Sequence, residues 1–211
     1  LCRHYMDLLM VDLKASSPTQ KYEKEIALND FYIYGETKLG TIQSLGNPPS
    51  FETVLYEMYN ELGRSGSLLK NMYYQTVKKI GRRLVNNLFQ KKYCLATIME
   101  DVSYQDNQVY ISSGELSIYY KIHPLEKKRI SKFRELCQQP LRELKPKLHK
   151  QAENNQRLAH ASGTCRMGKD RRMSVVDKSN RVHDIENLYI IDASFFPSSA
   201  GINPALTIAA N

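Results

Sequence analysis

Two absences limit what this chain of 211 residues can do on its own. It has no long uninterrupted apolar run and no G-x-G-x-x-G motif. Because a helix needs about 20 apolar residues to cross a bilayer, the sequence predicts no membrane-spanning helix. Because the glycine motif holds the diphosphate of a dinucleotide, these residues alone do not form a complete dinucleotide-binding site.

Cysteine is scarce, and none of the four cysteines has a neighbour at the spacing of a zinc site or a disulfide framework: Cys2, Cys94, Cys137 and Cys165. We therefore predict free, mostly buried thiols and no metal site. Free thiols are usual in reducing compartments, which favours the cytoplasm, although no targeting segment identifies the location. The chain starts without methionine and ends in helical sequence, so we expect it to be part of a longer protein.

Positive charge exceeds negative charge, with a formal net charge of +8. A basic protein can bind nucleic acid when its charge is concentrated on one face. Here the densest basic stretches, at 78–83 and 127–129, lie in amphipathic helical patterns. We interpret them as solvated helix faces, and we find no nucleic-acid recognition motif.

The first 150 residues mix short strands with a few helices. The apolar spacing predicts strands within 25–43, with turns at Gly35 and Gly40, and a further strand at 93–99. It predicts a hairpin of 109–111 and 116–122 around Ser113-Gly114. Helices are predicted at 51–62 and 67–89, and a basic helix at 125–148 is interrupted by Pro140 and Pro146. This order predicts an α+β domain with an antiparallel sheet and helices.

The last fifty residues follow a different pattern. The continuous apolar run at 187–191 is typical of a strand buried on both faces. A loop follows, and a helix is predicted to open at Asn203-Pro204, since asparagine is a good N-cap and proline suits the first helical position. A buried strand that leads through a loop to a helix start is typical of a cofactor edge in α/β folds.

Two short segments contain the candidate chemistry. Residues 160–168 read H-A-S-G-T-C-R-M-G, and residues 187–197 read N-L-Y-I-I-D-A-S-F-F-P, followed by N-P-A-L-T at 203–207. Taken alone, His160 would more often be structural than catalytic, and Asn203 would be a helix cap. Together, the motifs H-x-x-G-T-x-R-M-G, S-V-V-D, R-V, N-L-Y-x-x-D-A-S and N-P-x-L-T resemble the C-terminal signature of the glucose–methanol–choline (GMC) flavoprotein oxidoreductases.

The resemblance implies an FAD-dependent enzyme that oxidises a CH–OH group of an alcohol, sugar or polyol. It assigns His160 as the general base, a role that suits imidazole, and Asn203 as the amide that holds the substrate oxygen. It places Asp192 and Ala193 near the ribityl and diphosphate part of FAD, and Asn203, Pro204 and Ala205 at the flavin ring. The polar, tyrosine-rich region 20–120 mildly favours a sugar or polyol, and the electron acceptor is not indicated.

The resemblance also implies a division of the chain. Residues 1–14 would connect from an FAD-binding half that this chain lacks, 15–157 would form the substrate domain, and 158–211 would be the catalytic, FAD-contacting strand–loop–helix of an α/β domain. The first segment departs from the family, with Cys2 where glycine is common and Leu8 where histidine is common. The remaining histidines (His4, His123, His149 and His183) receive no catalytic role. The alternatives are a non-catalytic remnant or binding module that keeps the fold, and a nucleic-acid-binding domain.

Overall fold

The computed structural model describes residues 1–12, 24–46, 92–154 and 160–211. Its strands are β1 (Leu8–Asp12), β2 (Ala27–Leu28), β3 (Ile33–Tyr34), β4 (Thr37–Lys38), β5 (Gly40–Gly46), β6 (Lys92–Met99), β7 (Gln108–Ser112), β8 (Glu115–Tyr119) and β9 (Lys147–Lys150). Its α-helices are α1 (Pro124–Leu141) and α2 (Ala205–Ala210), and short 3₁₀ turns lie at Arg142–Leu144, Ala152–Asn154 and Ala193–Phe195. The helices predicted at 51–62 and 67–89 lie outside the described residues.

Five strands form one antiparallel sheet in the order β2-β5-β6-β1-β9. The strand β6 is buried along nearly its whole length, because it has partners on both edges and covered faces. Two further pairs, β3–β4 and β7–β8, form separate hairpins. The predicted α+β architecture with an antiparallel sheet is therefore confirmed, and β1 lies inside that sheet rather than at its margin.

One face of the sheet packs against α1. Alternate residues of each strand face the helix, as the two-residue period of a strand requires, and the helix contributes residues three and four positions apart. The shared core includes Leu9 and Val11 of β1, Tyr93 and Leu95 of β6, and Ile130, Phe133, Cys137 and Leu141 of α1. Each large apolar side chain buried in this way contributes roughly 1.5–3 kcal/mol.

A buried ion pair fixes the helix to the sheet edge. Asp7 is 3% exposed, and its carboxylate accepts hydrogen bonds from Arg134 Nε at 2.7 Å and Nη2 at 2.8 Å. The same carboxylate accepts the backbone N–H of Ala152 at 2.8 Å. One carboxylate therefore connects three parts of the fold: α1, the segment before β1 and the turn after β9.

The helix predicted over 125–148 ends earlier, at Leu141. Pro140 stands in its last turn, where the ring removes a backbone donor and crowds the preceding carbonyl. The chain then reverses at Lys145, in the left-handed conformation with φ 45°, before Pro146 and strand β9. The prediction was wrong for the final seven residues because the interrupting prolines end the helix instead of bending it.

The glycine-containing turns behave in two ways. The predicted hairpin around Ser113-Gly114 is confirmed, with φ of 52° and 82°, as a two-residue turn of this kind requires. Gly35 also forms its predicted turn, at φ 59°. Gly40 does not form a turn: it begins β5, and a Cβ there would lie 2.0 Å from the carbonyl oxygen of Ile98 on the paired strand. Close backbone approach, not conformational freedom, requires this glycine.

The strand predicted at 187–191 does not form. The run pairs only with residues 180–182, through an isolated bridge between Arg181 and Tyr189, and Ile191 is 76% exposed. An apolar run becomes a doubly buried strand only when other elements cover it, and no strand of the five-stranded sheet lies beside it. The predicted strand is therefore wrong for the described structure, and its apolar side chains are left open.

The final helix starts one residue later than predicted. Its N-cap is Pro204, without a side-chain capping bond, and Ala205 is its first residue. Asn203 therefore does not act as the cap, because its side chain bonds elsewhere. Neither described helix is long and apolar enough to cross a membrane. All four cysteines are free, and three of them are buried.

Candidate active site

The two signature segments lie side by side. The backbone N–H groups of Gly163, Cys165 and Met167 donate to the carbonyls of Ala193, Ser194 and Phe195 at 3.4, 2.9 and 2.7 Å. This ladder joins the H-A-S-G-T-C-R-M-G segment to the turn at Ala193–Phe195. It explains why two motifs far apart in the sequence belong to one structural unit.

Asp192 begins that turn as its N-cap. Its Oδ1 accepts the backbone N–H of Ser194 at 2.8 Å. The hydrogen bonds from Ser194 hold the pKa of this carboxyl below its usual value. Asp192 therefore has a capping role of its own in this structure, and any contact with a cofactor would come in addition to it.

His160 is held in an uncommon backbone conformation. Its φ is 53°, in the left-handed region that few residues other than glycine adopt. Its Nδ1 lies 2.9 Å from His4 Nδ1, and the two rings meet edge to face with centroids 4.8 Å apart. Partial desolvation, together with the nearby charge of Lys24, lowers the pKa of His160 below 6.5. The ring is therefore neutral, and able to accept a proton, at neutral pH.

His4 lies beneath His160 and is 1% exposed. Its Nε2 lies 2.8 Å from the carbonyl oxygen of Ser199. A carbonyl only accepts hydrogen bonds, so His4 Nε2 must donate here. Burial lowers the pKa of His4 to about 4, so this imidazole is also neutral near pH 7.

Ser199 is itself fixed by Asp101. The Ser199 N–H donates to the Asp101 carbonyl at 2.9 Å, and the Asp101 N–H donates to Ser199 Oγ at 2.9 Å. The buried Asp101 carboxylate accepts the hydroxyls of Tyr5 at 2.6 Å and Tyr120 at 2.7 Å, and the N–H of Arg3 at 3.0 Å. Desolvation raises the pKa of Asp101, while these hydrogen bonds oppose the rise. The support under His4 is thus a closed polar network.

Asn203 is exposed and is held from the sheet. Its Nδ2 donates to Gln43 Oε1 at 3.0 Å, and Gln43 Nε2 donates to Thr41 Oγ1 at 3.2 Å. Thr41 Oγ1 donates in turn to the carbonyl of Gly201 at 3.0 Å. Since Thr41 and Gln43 both belong to β5, one strand orients the Asn203 amide and anchors the loop before it.

Both predicted catalytic residues are therefore tied to one short loop, 199–203. His160 is bonded to the loop through His4 and Ser199, and Asn203 is the last residue of the loop, with its side chain held by Gln43 of β5. No hydrogen bond recorded among the described residues joins His160 directly to Asn203. Their joint action on a substrate stays a prediction, but the loop that links them is well defined.

The loop passes very close to the sheet at a pair of glycines. A Cβ placed on Gly201 would lie 2.8 Å from the Cα of Gly40. Only glycine at both positions allows the two backbones to approach in this way. The glycine pair sets the distance between the loop and β5, and therefore the positions of Ser199 and Asn203.

The residues predicted to contact a cofactor lie at the surface, where Asp192 and Ala205 are exposed and Ala193 and Pro204 are half-buried. Large apolar side chains lie on the same two segments, with Ile191 76% and Leu206 82% exposed. The first N–H groups of a helix have no partner within it. A flat, polar-edged ring such as a flavin requires donors of this kind beside apolar surface, and its contact with these residues stays a prediction.

Sequence reasoning missed His4, Gln43 and Asp101. The contact between His4 and His160 joins positions 156 residues apart in the chain, which no local pattern reveals. One signal was available: His4 stands within R-H-Y-M-D at 3–7, a stretch that loosely resembles the same family. A polar residue inside a motif-like stretch could have been given more weight than an isolated histidine.

Comparison with known proteins gives a consistent answer. A family model described as GMC oxidoreductase matches residues 103–211. Paromamine 6'-oxidase from Streptomyces fradiae is 31% identical over 149 residues, which cover 66% of this chain and 27% of that protein. Shorter matches include pyridoxine 4-oxidase from Microbacterium luteolum, 59% identical over 39 residues (18% of this chain, 8% of that protein), and cholesterol oxidase from Acinetobacter baumannii, 42% identical over 52 residues (25% and 9%). The matched region thus spans only about a quarter of the length of paromamine 6'-oxidase.

Proposed function

Since this chain belongs to the GMC oxidoreductase family, whose members are FAD flavoproteins, we propose that it forms the C-terminal part of an enzyme that oxidises a CH–OH group to a carbonyl. The substrate class is an alcohol, sugar or polyol. Residues 15–157 act as the substrate domain, with β1 as an inner strand of its sheet, and 158–211 contribute the catalytic and FAD-contacting segment. An FAD-binding half, reached through residues 1–14, completes the enzyme.

The observation that supports this proposal is that His160 is bonded, through His4 and Ser199, to the same loop 199–203 that carries Asn203, while Gln43 of β5 holds the Asn203 side chain. A base and an amide can act on one hydroxyl only if their relative position is fixed. The hydrogen-bond chain from His160 to Ser199, together with the bonds from Asn203 and Gly201 to β5, supplies such a constraint.

The chemistry divides between the chain and its cofactor. His160 accepts the hydroxyl proton, for which its lowered pKa keeps the ring neutral. Asn203 has a second N–H besides the one bonded to Gln43, and it donates to the substrate oxygen. Bound FAD would supply the acceptor for the hydride that leaves the substrate carbon. Asp192, Ala193, Asn203, Pro204 and Ala205 are the residues that would face FAD.

The exposed apolar run at 187–191 supports the two-part arrangement. Leu188, Tyr189 and Ile191 stand open to solvent, although a sequence of this kind is typical of a covered strand. We infer that the FAD-binding half covers it. The 211-residue chain expressed alone is expected to retain no FAD, and flavin absorbance that purifies with it would contradict this inference.

The test of the proposed function is flavin reduction in the full-length protein. A panel of paromamine, pyridoxine and a long-chain alcohol is mixed anaerobically with the enzyme, and the bleaching of flavin absorbance is followed by stopped flow. His160→Gln is expected to slow reduction by about 10²–10⁴-fold, the usual contribution of a general base. His183→Gln is the matched control, because the His183 ring bonds the Ser174 hydroxyl and has no described hydrogen bond to His4, His160 or Asn203. Wild-type reduction in His160→Gln would instead support a non-catalytic remnant.

A further inference from the structure

We propose that His4 is a positioning residue that fixes the tautomer of His160, so that His160 carries its proton on Nδ1 and presents a free Nε2 to the substrate. This inference rests on the proposed function and names which nitrogen performs it. His4 touches neither substrate nor cofactor. Its role passes entirely through the contact between the two imidazoles.

The first step concerns His4 itself. Its Nε2 faces the Ser199 carbonyl oxygen at 2.8 Å, and that oxygen has no proton to give. The proton therefore resides on His4 Nε2. With a single ring proton placed there, His4 Nδ1 carries a lone pair and can only accept.

The second step concerns the protonation state of His4. The ring is 1% exposed, and burial lowers its pKa to about 4, with His160 as a further unfavourable neighbour for the charged form. Asp101 bonds the backbone of Ser199 and the hydroxyls of Tyr5 and Tyr120. No carboxylate therefore contacts the His4 ring among the described bonds, and the neutral form persists at the pH of catalysis.

The third step carries the constraint to His160. Its Nδ1 lies 2.9 Å from His4 Nδ1. If His160 Nδ1 also lacked a proton, two lone pairs would face each other at hydrogen-bonding distance in a partly buried site. The only satisfied arrangement has His160 Nδ1–H donating to His4 Nδ1. In neutral imidazole the other nitrogen is then an acceptor, which is the form that a general base requires.

The surrounding structure holds this geometry rigid. Ser199 is bonded on both sides by Asp101, and His160 is kept at φ 53°. A backbone in a strained region persists only where the surroundings determine it, and such residues cluster at functional sites. The rigidity explains why His4, and not a mobile water, can serve as the orienting acceptor.

Two substitutions separate positioning from simple support. Asparagine at position 4 places an amide oxygen near the site of Nδ1, so His4→Asn can still accept from His160 but loses the bond to Ser199. Glutamine places its amide nitrogen near the site of Nε2, so His4→Gln can still donate to Ser199 but offers no acceptor at Nδ1. The melting temperature should fall more in His4→Asn. The rate constant for flavin reduction should fall more in His4→Gln, by about 10–100-fold, as when the partner that orients a functional histidine is lost.

The tautomer can also be observed without turnover. In full-length, FAD-loaded protein labelled with ¹⁵N-histidine, the signals of His160 are identified by their loss in His160→Gln. We expect a protonated Nδ1 and an unprotonated Nε2 in wild type, and a shift toward protonated Nε2 in His4→Gln.

Failure of this inference is distinguishable from failure of the proposed function. A protonated His160 Nε2 in the wild type, or rate losses that follow the melting temperatures of the two variants, would overturn the role of His4 while His160→Gln stays slow. If His160→Gln reduces its flavin at the wild-type rate, the proposed function itself fails, whatever the tautomer.

Discussion

Replacing Gly201 with alanine tests whether the close approach of the 199–203 loop to β5 matters for catalysis. The new Cβ would lie 2.8 Å from the Cα of Gly40 and 3.2 Å from the carbonyl oxygen of Leu39. Both are backbone atoms at the start of a central strand, so they cannot rotate away. The loop must move instead, together with Ser199 and Asn203.

The size of that movement follows from the contact distance. The 2.8 Å approach is 0.6 Å short of the 3.4 Å at which ordinary van der Waals contact begins. Since a misplacement of about 1 Å can reduce a rate on the order of 100-fold, we expect Gly201→Ala to slow flavin reduction roughly tenfold. Overpacking of this kind costs roughly 1–3 kcal/mol of stability as well.

The assay compares Gly201→Ala with Gly114→Ala in the full-length enzyme. Gly114 has a φ of 82° and nothing within 4 Å of a built Cβ, so alanine there costs roughly 1–2 kcal/mol through backbone strain alone. The control should lose stability without losing rate. If folded Gly201→Ala reduces its flavin as fast as wild type, the glycine contact does not position the site.

Three further outcomes are expected. Arg134→Leu leaves the buried Asp7 carboxylate without its cation and should lower the free energy of urea unfolding by about 3–5 kcal/mol. Adding Asp7→Asn to this variant should restore much of the loss; a double variant no more stable than Arg134→Leu would argue against the buried pair. Because the pKa of His160 is lowered and the base acts unprotonated, flavin reduction should be constant above pH 6.5 and fall below it; a fall that begins above pH 6.5 would contradict this. Asn203→Leu should lower kcat/KM by about tenfold or more through loss of an oriented donor, with Gln43→Leu intermediate; equal rates in all three proteins would remove Asn203 from the site.

Local signals predicted the local elements well. The strand β6 and the β7–β8 hairpin were visible because a short apolar run and a Ser-Gly pair act over neighbouring residues. The end of α1 was misplaced because two prolines could either bend a helix or stop it. The role of Gly40 was misassigned because its constraint comes from Gly201 and Ile98, far away in the sequence.

The candidate site also divides into residues that a local pattern predicts and contacts that only the fold reveals. The motif predicted His160 and Asn203, since a family signature is a local pattern. The supporting contacts, from His4 to Ser199 and from Gln43 to Asn203, join residues 195 and 160 positions apart. Such contacts depend on how the sheet and the loop meet, so only the folded structure reveals them.

The most direct test of the central claim is a crystal structure of the full-length enzyme with FAD and an alcohol substrate bound. We expect the Nε2 of His160 and the Nδ2 of Asn203 to lie within about 3 Å of the same substrate oxygen, with His160 Nδ1 still on His4. A substrate oxygen that contacts neither residue, or that contacts the two residues in separate cavities, would contradict the proposed chemistry.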